Sequence, residues 1–222
     1  MAQNRFRFPN GSVLELATAF DTATPITAIT NAKPPVATSA AHGLIDGDIG
    51  LLTSGWSRIN NRGVRVANAL TGTFELEGLN TTSTSRFPVG KGAGSIVIAT
   101  GWQLIDKILE VTTNGGDDKF WTGAFLEDDD DTQVPIGRNP QSLSLTLGDD
   151  PDSDRDDALL EADAARGENQ LLRLTLPTGD IILYAGFVSY NDNPQMSRDN
   201  PMSTRMTISM TGRPMRYTEF VS

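Results

Sequence analysis

FLEDDDDTQVPIGRNPQSLSLTLGDDP, residues 125–151, joins an acidic loop stopped by proline to an alternating strand, and this stretch decides the fold. From Ser142 to Leu147, three leucines alternate with small hydroxyl side chains, a period of two that is typical of a strand with one buried face. The segment from Met206 to Thr211 repeats this alternation, with methionine and isoleucine on one side. The pattern predicts a mainly β protein whose strands have one apolar and one small polar face.

A β-hairpin and one helix are predicted between these two strands. Leu172 to Leu176 and Ile181 to Tyr190 flank a Pro-Thr-Gly turn, and the second strand is apolar on both sides, so we expect it to be covered on both. Ser153 begins a helix with three aspartates near its positive end, Arg166 lies in its last turn and Gly167 ends it. Alanine and leucine recur in it at helical spacing, which predicts that the helix covers one face of the sheet.

Residues 25–99 differ in composition from the rest of the chain, because they are rich in threonine, alanine, asparagine and glycine. Turn residues break their short apolar runs at brief intervals, and no helical pattern is present. The region is therefore predicted to be a small all-β module. Its predicted strands are 26–30, 36–39, 49–52, 64–67, 73–76 and 94–99.

The composition excludes several classes of function. The 222 residues include no cysteine and one histidine, so disulfides and cysteine nucleophiles are excluded and an ordinary zinc site lacks ligands. No apolar run approaches the roughly 20 residues that a membrane helix requires, and the first residues lack the apolar segment of a secretion signal. We expect a protein without a membrane segment that is synthesised in the cytoplasm.

Charge is distributed unevenly along the chain. The net charge is -10, yet residues 1–100 carry 6 acids and 8 bases whereas residues 101–222 carry 22 acids and 10 bases. Such asymmetry favours two modules with different surroundings. The acidic half is poorly suited to gripping DNA, since phosphate binding depends on lysine and arginine.

Residues 101–222 resemble the tail tube proteins of long-tailed bacteriophages. The stretches that carry the resemblance are WQLIDKILEVTTNGGDDKF (102–120), the FLEDDDD loop, the predicted helix (149–167), LRLTLPTGDIILYAGFVSY (172–190) and TGRPMRY (211–217). Residues 24–56, 74–82 and 87–96 resemble the FCCH-like small β module that several phage tail proteins carry. The chain is thus interpreted as a tube domain, 1–24 and 100–222, with an inserted module at 25–99.

The resemblance implies a β-sandwich or partial barrel flanked by one helix, and a structural virion protein rather than an enzyme. Six copies would form a ring, and stacked rings would form a β-lined channel that conducts genome DNA into the host. Implied partners are further copies of the chain, tape-measure, tail-tip and tail-terminator proteins, and double-stranded DNA in transit. The expected location is the virion tail, after synthesis in the host cytoplasm.

Two sets of residues are predicted to serve assembly and DNA passage. A channel lining of small polar groups with a negative bias would let DNA slide, because it repels phosphates. An ordinary solvated sheet face is the alternative for the lining residues. A solvated loop, a lumen-facing acidic patch and a cation site are the alternatives for the acidic loop. The candidate lining residues are Ser142, Ser144, Thr146, Thr207, Ser209 and Thr211, and the candidate ring-stacking loop, expected to reorder on docking, comprises Glu127, Asp128, Asp129, Asp130, Asp131 and Arg138.

Other motifs are weighed against simpler explanations. Acidic residues from Asp150 to Glu161 have the spacing of a calcium loop, but Arg155 replaces the glycine that its turn needs, so helix-capping acids are favoured. The sequence GKGAG, residues 90–94, is expected to be a hairpin turn, and the lone His42 to stabilise a turn. Trp102 and Trp121 are expected to pack in a core or an interface. No catalytic residue, cofactor or metal is predicted.

Two alternative functions remain open from the sequence. The chain could be the tube subunit of a contractile injection machine, or a host-surface-binding tail protein that displays the small β module. A tube subunit should form long hollow filaments when concentrated. A receptor-binding protein should remain a compact particle and bind cells.

Overall fold

The computed structural model describes residues 10–127, 129–150 and 153–218. Strands account for 52% of the chain and helix for 5%, which confirms a mainly β fold with one helix. The strands are β1 Val13–Phe20, β2 Thr24–Ile26, β3 Ala28–Ile29, β4 Val36–Thr38, β5 Ile49–Ser54, β6 Arg62–Leu70, β7 Thr73–Leu76, β8 Gly94–Ile105, β9 Ile108–Gly115, β10 Asp118–Gly123, β11 Thr132–Arg138, β12 Gln141–Gly148, β13 Gln170–Thr175, β14 Ile181–Gln195, β15 Ser203–Met210 and β16 Met215–Tyr217, and the helix is α1 Asp154–Ala164.

Among the described residues, fourteen strands form one curled antiparallel sheet. Its order is β3-β4-β7-β6-β5-β8-β1-β13-β14-β15-β12-β9, with β16 beside β14 and β2 beside β8. β3 and β9 are therefore the two edges. β10 and β11 pair only with each other. Within the described part of the chain, no helix combines the length and the apolar character that a bilayer crossing requires.

The first core lies between the helix and the strands that carry the alternating sequences. Leu145 and Met206, neighbours in the β12–β15 register, are fully buried there against Leu159 of α1. Burial of one such leucine stabilises the fold by about 1.5–3 kcal/mol. The apolar half of each alternating strand thus faces the helix, as predicted.

The helix begins at the predicted residue and ends about two residues earlier than predicted. The Ser153 side chain accepts a hydrogen bond from Arg155 N at 3.2 Å, and aspartates occupy the first turn. The helix ends at Ala164, so the placement of Arg166 in its last turn is wrong. Gly167 follows with φ of +92°, in the conformation that favours glycine.

Arg155 joins the helix start to two other segments. Its guanidinium is 1% exposed and donates to Asp156 Oδ1 at 2.8 Å, Asp106 O at 3.0 Å and Gly148 O at 3.0 Å. A buried arginine is stable only when its donors have such partners. The residue that argues against a calcium loop is therefore a structural tie between α1, the β8–β9 turn and the end of β12.

The predicted hairpin is formed by β13 and β14, and β14 is covered on both sides as expected. Val188 and Tyr190 belong to the first core beneath the helix. Leu183 and Ala185, on the opposite side of the same strand, belong to another core. Gly179 forms the turn with φ of +80°.

Residues 26–96 form a second core of their own. Trp56, Phe74 and Phe87 lie within it, and the indole Nε1 of Trp56 donates to Pro88 O at 2.8 Å. A Cβ at Gly92 would meet the Trp56 ring at 3.0 Å. Close packing thus accounts for glycine at position 92 of the GKGAG turn.

A third core joins this region to the rest of the chain. It contains Ile49 of β5 together with Leu171, Leu183 and Tyr217. β8 runs without interruption from its pairing with β5 to its pairing with β1. Residues 25–99 therefore share both a sheet and a core with their neighbours.

The C-terminal segment fastens the same junction. The Tyr217 hydroxyl accepts a hydrogen bond from Arg65 N at 3.2 Å, and the Arg65 guanidinium lies 4.8 Å from the Tyr217 ring centroid. Arg65 also makes a bidentate pair with Glu77 at 2.6 and 2.7 Å. Burial raises the pKa of Tyr217 to about 12.

Candidate functional site

A face of small polar side chains lies on the side of the sheet that does not face the helix. In the strand register Ser142 is opposite Ser209, and Ser144 is opposite Thr207. Ser144 Oγ and Thr207 Oγ1 lie 3.2 Å apart, within hydrogen-bond distance. By register and alternation, the polar face comprises Glu110, Thr112 and Asn114 of β9, Ser142, Ser144 and Thr146 of β12, Ser189 and Asn191 of β14, and Arg205, Thr207 and Ser209 of β15.

Five of the six candidate lining residues belong to the polar face, and Thr211 does not. Thr211 lies beyond the end of β15, where its hydroxyl donates to Asn61 O at 3.1 Å. It also lies 3.2 Å from Ala185 O. Thr211 is therefore placed at the junction with β6, because β15 ends at Met210.

The charges of the polar face offset each other. Glu110 and Arg205 are its only ionisable members, and both are opposite Thr146 in the register. The face is thus close to neutral, and the expected negative bias is not found on it. Sequence alternation identified five hydroxyl residues of the polar face but missed Thr112 and Ser189, and neither Glu110 nor Arg205 could be assigned to it without the pairing of strands.

The polar face is bounded by the third core. Leu183 and Ala185 of β14 lie on the same side of the sheet as the polar face but are buried. Phe187, next on that side, is 41% exposed, and Ser189 follows it. The boundary between covered and open sheet therefore passes through Phe187.

A hairpin arm, residues 118–138, consists of β10, β11 and the loop between them. It carries a set of exposed apolar side chains that contact little of the rest of the chain: Phe120, Trp121, Phe125, Leu126, Val134 and Ile136. The Trp121 and Phe125 rings lie 5.9 Å apart. Trp121 is 41% exposed, so it does not pack in a core of the subunit, and its alternative placement in an interface stays a prediction.

The arm also carries the candidate ring-stacking residues. Glu127, Asp129, Asp130 and Asp131 are exposed in the loop at its tip, and Asp128 lies outside the described residues. The prediction of a loop up to Arg138 is wrong for 132–138, which form β11. Pro135 lies within β11, since a strand of an isolated hairpin tolerates proline.

The base of the arm is held by one ion pair. Arg138 Nε donates to Asp118 Oδ1 at 2.8 Å, and both side chains are half exposed. Exposed pairs of this kind contribute about 0–1 kcal/mol. Arg138 lies at the base of the arm, about six strand residues from the acidic residues of the candidate ring-stacking loop.

Two of the acids with calcium-loop spacing form ion pairs. Asp150 pairs with Lys107, and Asp156 pairs with Arg155. In residues 10–127, 129–150 and 153–218, no group of three or more histidines and carboxylates could hold a metal ion. Asp152 lies outside these ranges.

His42 stabilises a turn, as expected. Its Nε2 donates to Leu70 O at 2.6 Å, and its Nδ1 accepts from Leu44 N at 3.0 Å, which defines one neutral tautomer. The ring packs on Phe74 with centroids 5.1 Å apart. Both nitrogens are therefore occupied by the backbone.

Two solved structures show partial similarity to this fold. One is a virion of a native gene transfer agent particle, with 14% identity, a TM-score of 0.39, and coverage of 53% of this chain and 89% of that chain. The other is the tail of an empty gene transfer agent particle refined with C6 symmetry, with 14% identity, a TM-score of 0.37, and coverage of 54% and 89%. No curated protein matches the sequence.

The sequence matches a protein family over residues 54–219, which is most of the chain. The family is described as phage tail tube protein, TTP. The match includes β6 to β16, and with them the polar face, the hairpin arm and the helix. The chain belongs to the phage tail tube protein family, and it is a structural component of a virion tail rather than an enzyme.

Proposed function

We propose that six copies of the chain form a ring, that rings stack into the tail tube, and that the polar face lines a channel for genome DNA. The observation that carries this proposal is an open sheet face of hydroxyl and amide groups whose reverse side is a closed core. A sheet face that is merely exposed to solvent does not require small polar side chains on four adjacent strands.

The chemistry of the polar face suits the passage of a polyanion. Tight binding of DNA requires cations that neutralise phosphates and release counterions. Arg205 is the one cation of the face, and Glu110 lies within two strands of it. The lining therefore offers hydrogen-bonding groups without a net positive charge, so DNA can move along it.

The free edge of β9 provides a means of ring closure. An edge strand exposes unpaired N–H and C=O groups that readily pair with another chain. Pairing of β9 with a neighbouring copy would extend the polar face from one subunit to the next. A closed ring of six would leave no β9 edge unpaired.

The hairpin arm supports contacts between copies. Its exposed aromatic and aliphatic side chains form an apolar surface on a slender element, and such surfaces mark interaction sites. We assign ring stacking to the arm, and we propose that its acidic loop reorders on docking. Because assembly would require this change in the loop, a single subunit would be kept from assembling too early.

The remaining parts of the proposal concern the module and the partners. We propose that residues 25–99 are an inserted module on the outside of the tube, fastened through the third core. Tape-measure protein would occupy the channel before DNA does, and tail-tip and terminator proteins would cap its ends. Synthesis would take place in the host cytoplasm.

Single-cysteine labelling tests the lining directly, because the chain contains no cysteine. Ser209→Cys places a thiol on the exposed part of the polar face, and Thr71→Cys places one on the exposed β6–β7 turn. Before assembly, both should react with a maleimide carrying a large polyethylene glycol. After assembly into tubes, Thr71→Cys should remain reactive and Ser209→Cys should be protected.

Two outcomes would refute this assignment. Equal reactivity of Ser209→Cys before and after tube formation would place the polar face outside the channel. Absence of hollow tubes at any concentration, with a compact particle instead, would favour a receptor-binding protein.

A further inference from the structure

Four arginines line a single cavity at the junction between the module and the C-terminal segment. The cavity has a volume of about 590 Å³. Its walls include Ile59, Leu79 and Phe87, and no acidic residue contributes to them. The arginine pocket is defined by Arg58, Arg62, Arg86 and Arg213.

These arginines lack acidic partners within the described residues. Four others, Arg65, Arg155, Arg173 and Arg216, each form an ion pair at 2.8 Å or less. None of the four pocket arginines forms an ion pair with an acid in residues 10–127, 129–150 or 153–218, although the chain carries a net charge of -10. Cations in excess of local acids mark a surface that is complementary to an anion.

Arg62 shows the deficit most clearly. Its Nη2 donates to Arg213 O at 3.0 Å, but its Nε is buried with no hydrogen-bond partner. Burial lowers the pKa of Arg62, and the nearby Arg213 charge adds to this effect. An anion in the cavity would relieve both the unpaired donor and the repulsion between the two guanidinium groups.

The hairpin arm, in contrast, carries carboxylates that lack cationic partners among the described residues. At its tip, Glu127, Asp129, Asp130 and Asp131 are exposed, and none of them has an ion pair with a described cation. Leu126 beside them is fully exposed. The tip therefore presents several carboxylates next to an apolar side chain, which matches a pocket of guanidinium groups with apolar walls.

No described residue of the arm tip lines the arginine pocket of the same subunit. Arg213 also lines a smaller cavity with Gly116, Arg138 and Pro140, at the base of the arm. The arm has six paired positions, and at about 3.4 Å per residue they separate the tip from this base by about 20 Å. A second copy can therefore supply the carboxylates that the arginine pocket lacks.

We propose that the acidic arm tip of one subunit binds the arginine pocket of a second copy. The inference rests on the proposed function and names the contact that joins subunits. Guanidinium groups bind carboxylates with paired, directional hydrogen bonds, so the contact fixes orientation as well as partner. Because different surfaces meet, the contact is heterologous, and it closes rings or extends a filament.

Charge reversal and its rescue test the proposal. One protein carries Arg58→Glu and Arg86→Glu, a second carries Asp129→Lys and Asp130→Lys, and a third carries all four changes. The substituted side chains are exposed, so folding should be retained, and thermal unfolding checks this. The measurement is the critical concentration for tube formation at low salt, by sedimentation and negative-stain microscopy.

Each reversed pair should raise the critical concentration by about tenfold or more, since close charge pairs at interfaces are strongly coupled. The third protein should return to within about threefold of the unmodified chain. The matched control, Lys91→Glu with Arg166→Glu, changes two exposed cations elsewhere and should assemble normally.

Several results would overturn the proposal without touching the function. Unchanged assembly of the Arg58→Glu, Arg86→Glu protein, or failure of the third protein to recover, would show that tip and pocket do not meet. If calorimetry shows that the unmodified chain binds inorganic phosphate or a short DNA duplex and that the Arg58→Glu, Arg86→Glu protein does not, while the third protein fails to recover assembly, the pocket would be assigned to a phosphate ligand. Absence of tubes from the unmodified chain would instead refute the proposed function.

Discussion

Arg155→Met removes the buried tie between the helix and the ends of its neighbouring strands. Methionine keeps the unbranched side chain and a favourable helix propensity, so mainly the guanidinium contacts are lost. The lost bonds are those to Asp156 Oδ1, Asp106 O and Gly148 O, at 2.8, 3.0 and 3.0 Å. A fourth contact, to the half-exposed Asp106 carboxylate at 3.3 Å, contributes little.

The expected loss of stability follows from these contacts. Each backbone carbonyl left without a partner costs about 1 kcal/mol, and the loss of the partner of Asp156, which is 15% exposed, costs about as much again. The sum is about 3 kcal/mol, at the lower limit for breaking a buried ion pair. For a chain of this length, that lowers Tm by about 6–12 °C.

Thermal unfolding followed by circular dichroism measures the effect. Arg166→Met is the matched control, because Arg166 is 85% exposed and lies 3.9 Å from its nearest carboxylate oxygen. It should change Tm by less than about 2 °C, since a median exposed pair contributes under 1 kcal/mol. If Arg155→Met unfolds within this margin of the control, the buried contacts do not stabilise the helix as argued.

Three further predictions concern the junction, the tyrosines and the arm. Gly63→Val places a Cβ 2.7 Å from a leucine methyl in the third core, so its free energy of unfolding in urea should fall by about 1–3 kcal/mol. Gly72→Val, whose Cβ meets open space, should lose no stability. Equal losses in the two variants would exclude packing at the junction as the cause. Because the folded-state pKa of Tyr217 is raised to about 12, its contribution to stability is complete below about pH 10 and is lost as the pH rises towards 12. The free energy of unfolding of Tyr217→Phe should therefore fall less steeply with pH over that interval than that of the unmodified chain, and an equal pH dependence would contradict this. Trp121→Ser should leave Tm nearly unchanged but raise the critical concentration for tube formation. Val89→Ser, the control at another exposed apolar residue, should change neither quantity. A large drop in Tm for Trp121→Ser would mean that Trp121 packs within the subunit.

Local patterns in the sequence account for the elements that were predicted well. From Ser142 to Leu147 in β12 and from Met206 to Met210 in β15, apolar and hydroxyl residues alternate, so the two faces could be assigned before their partners were known. The two-sided apolar character of β14 likewise predicted its double coverage. The helix start was predictable because Ser153 and the aspartates act within a single turn.

Features that depend on distant residues could not be predicted in this way. The arginine pocket draws Arg58, Arg62, Arg86 and Arg213 from separate parts of the chain, and only the folded junction brings them together. The hairpin arm lacks clear alternation, since nearly all its side chains are exposed on both faces of a two-stranded sheet that, within the described residues, pairs with no other strand. Its sequence suits contacts between copies, which a single chain does not reveal.

Helical reconstruction of tubes grown from the purified protein, by electron cryomicroscopy, tests the central claim most directly. The account predicts sixfold rings around an open channel, with Ser144 and Thr207 of the polar face on the channel wall and β9 paired to the neighbouring subunit. A filament without a channel, or a tube in which the polar face is buried between subunits or faces outward, would contradict it.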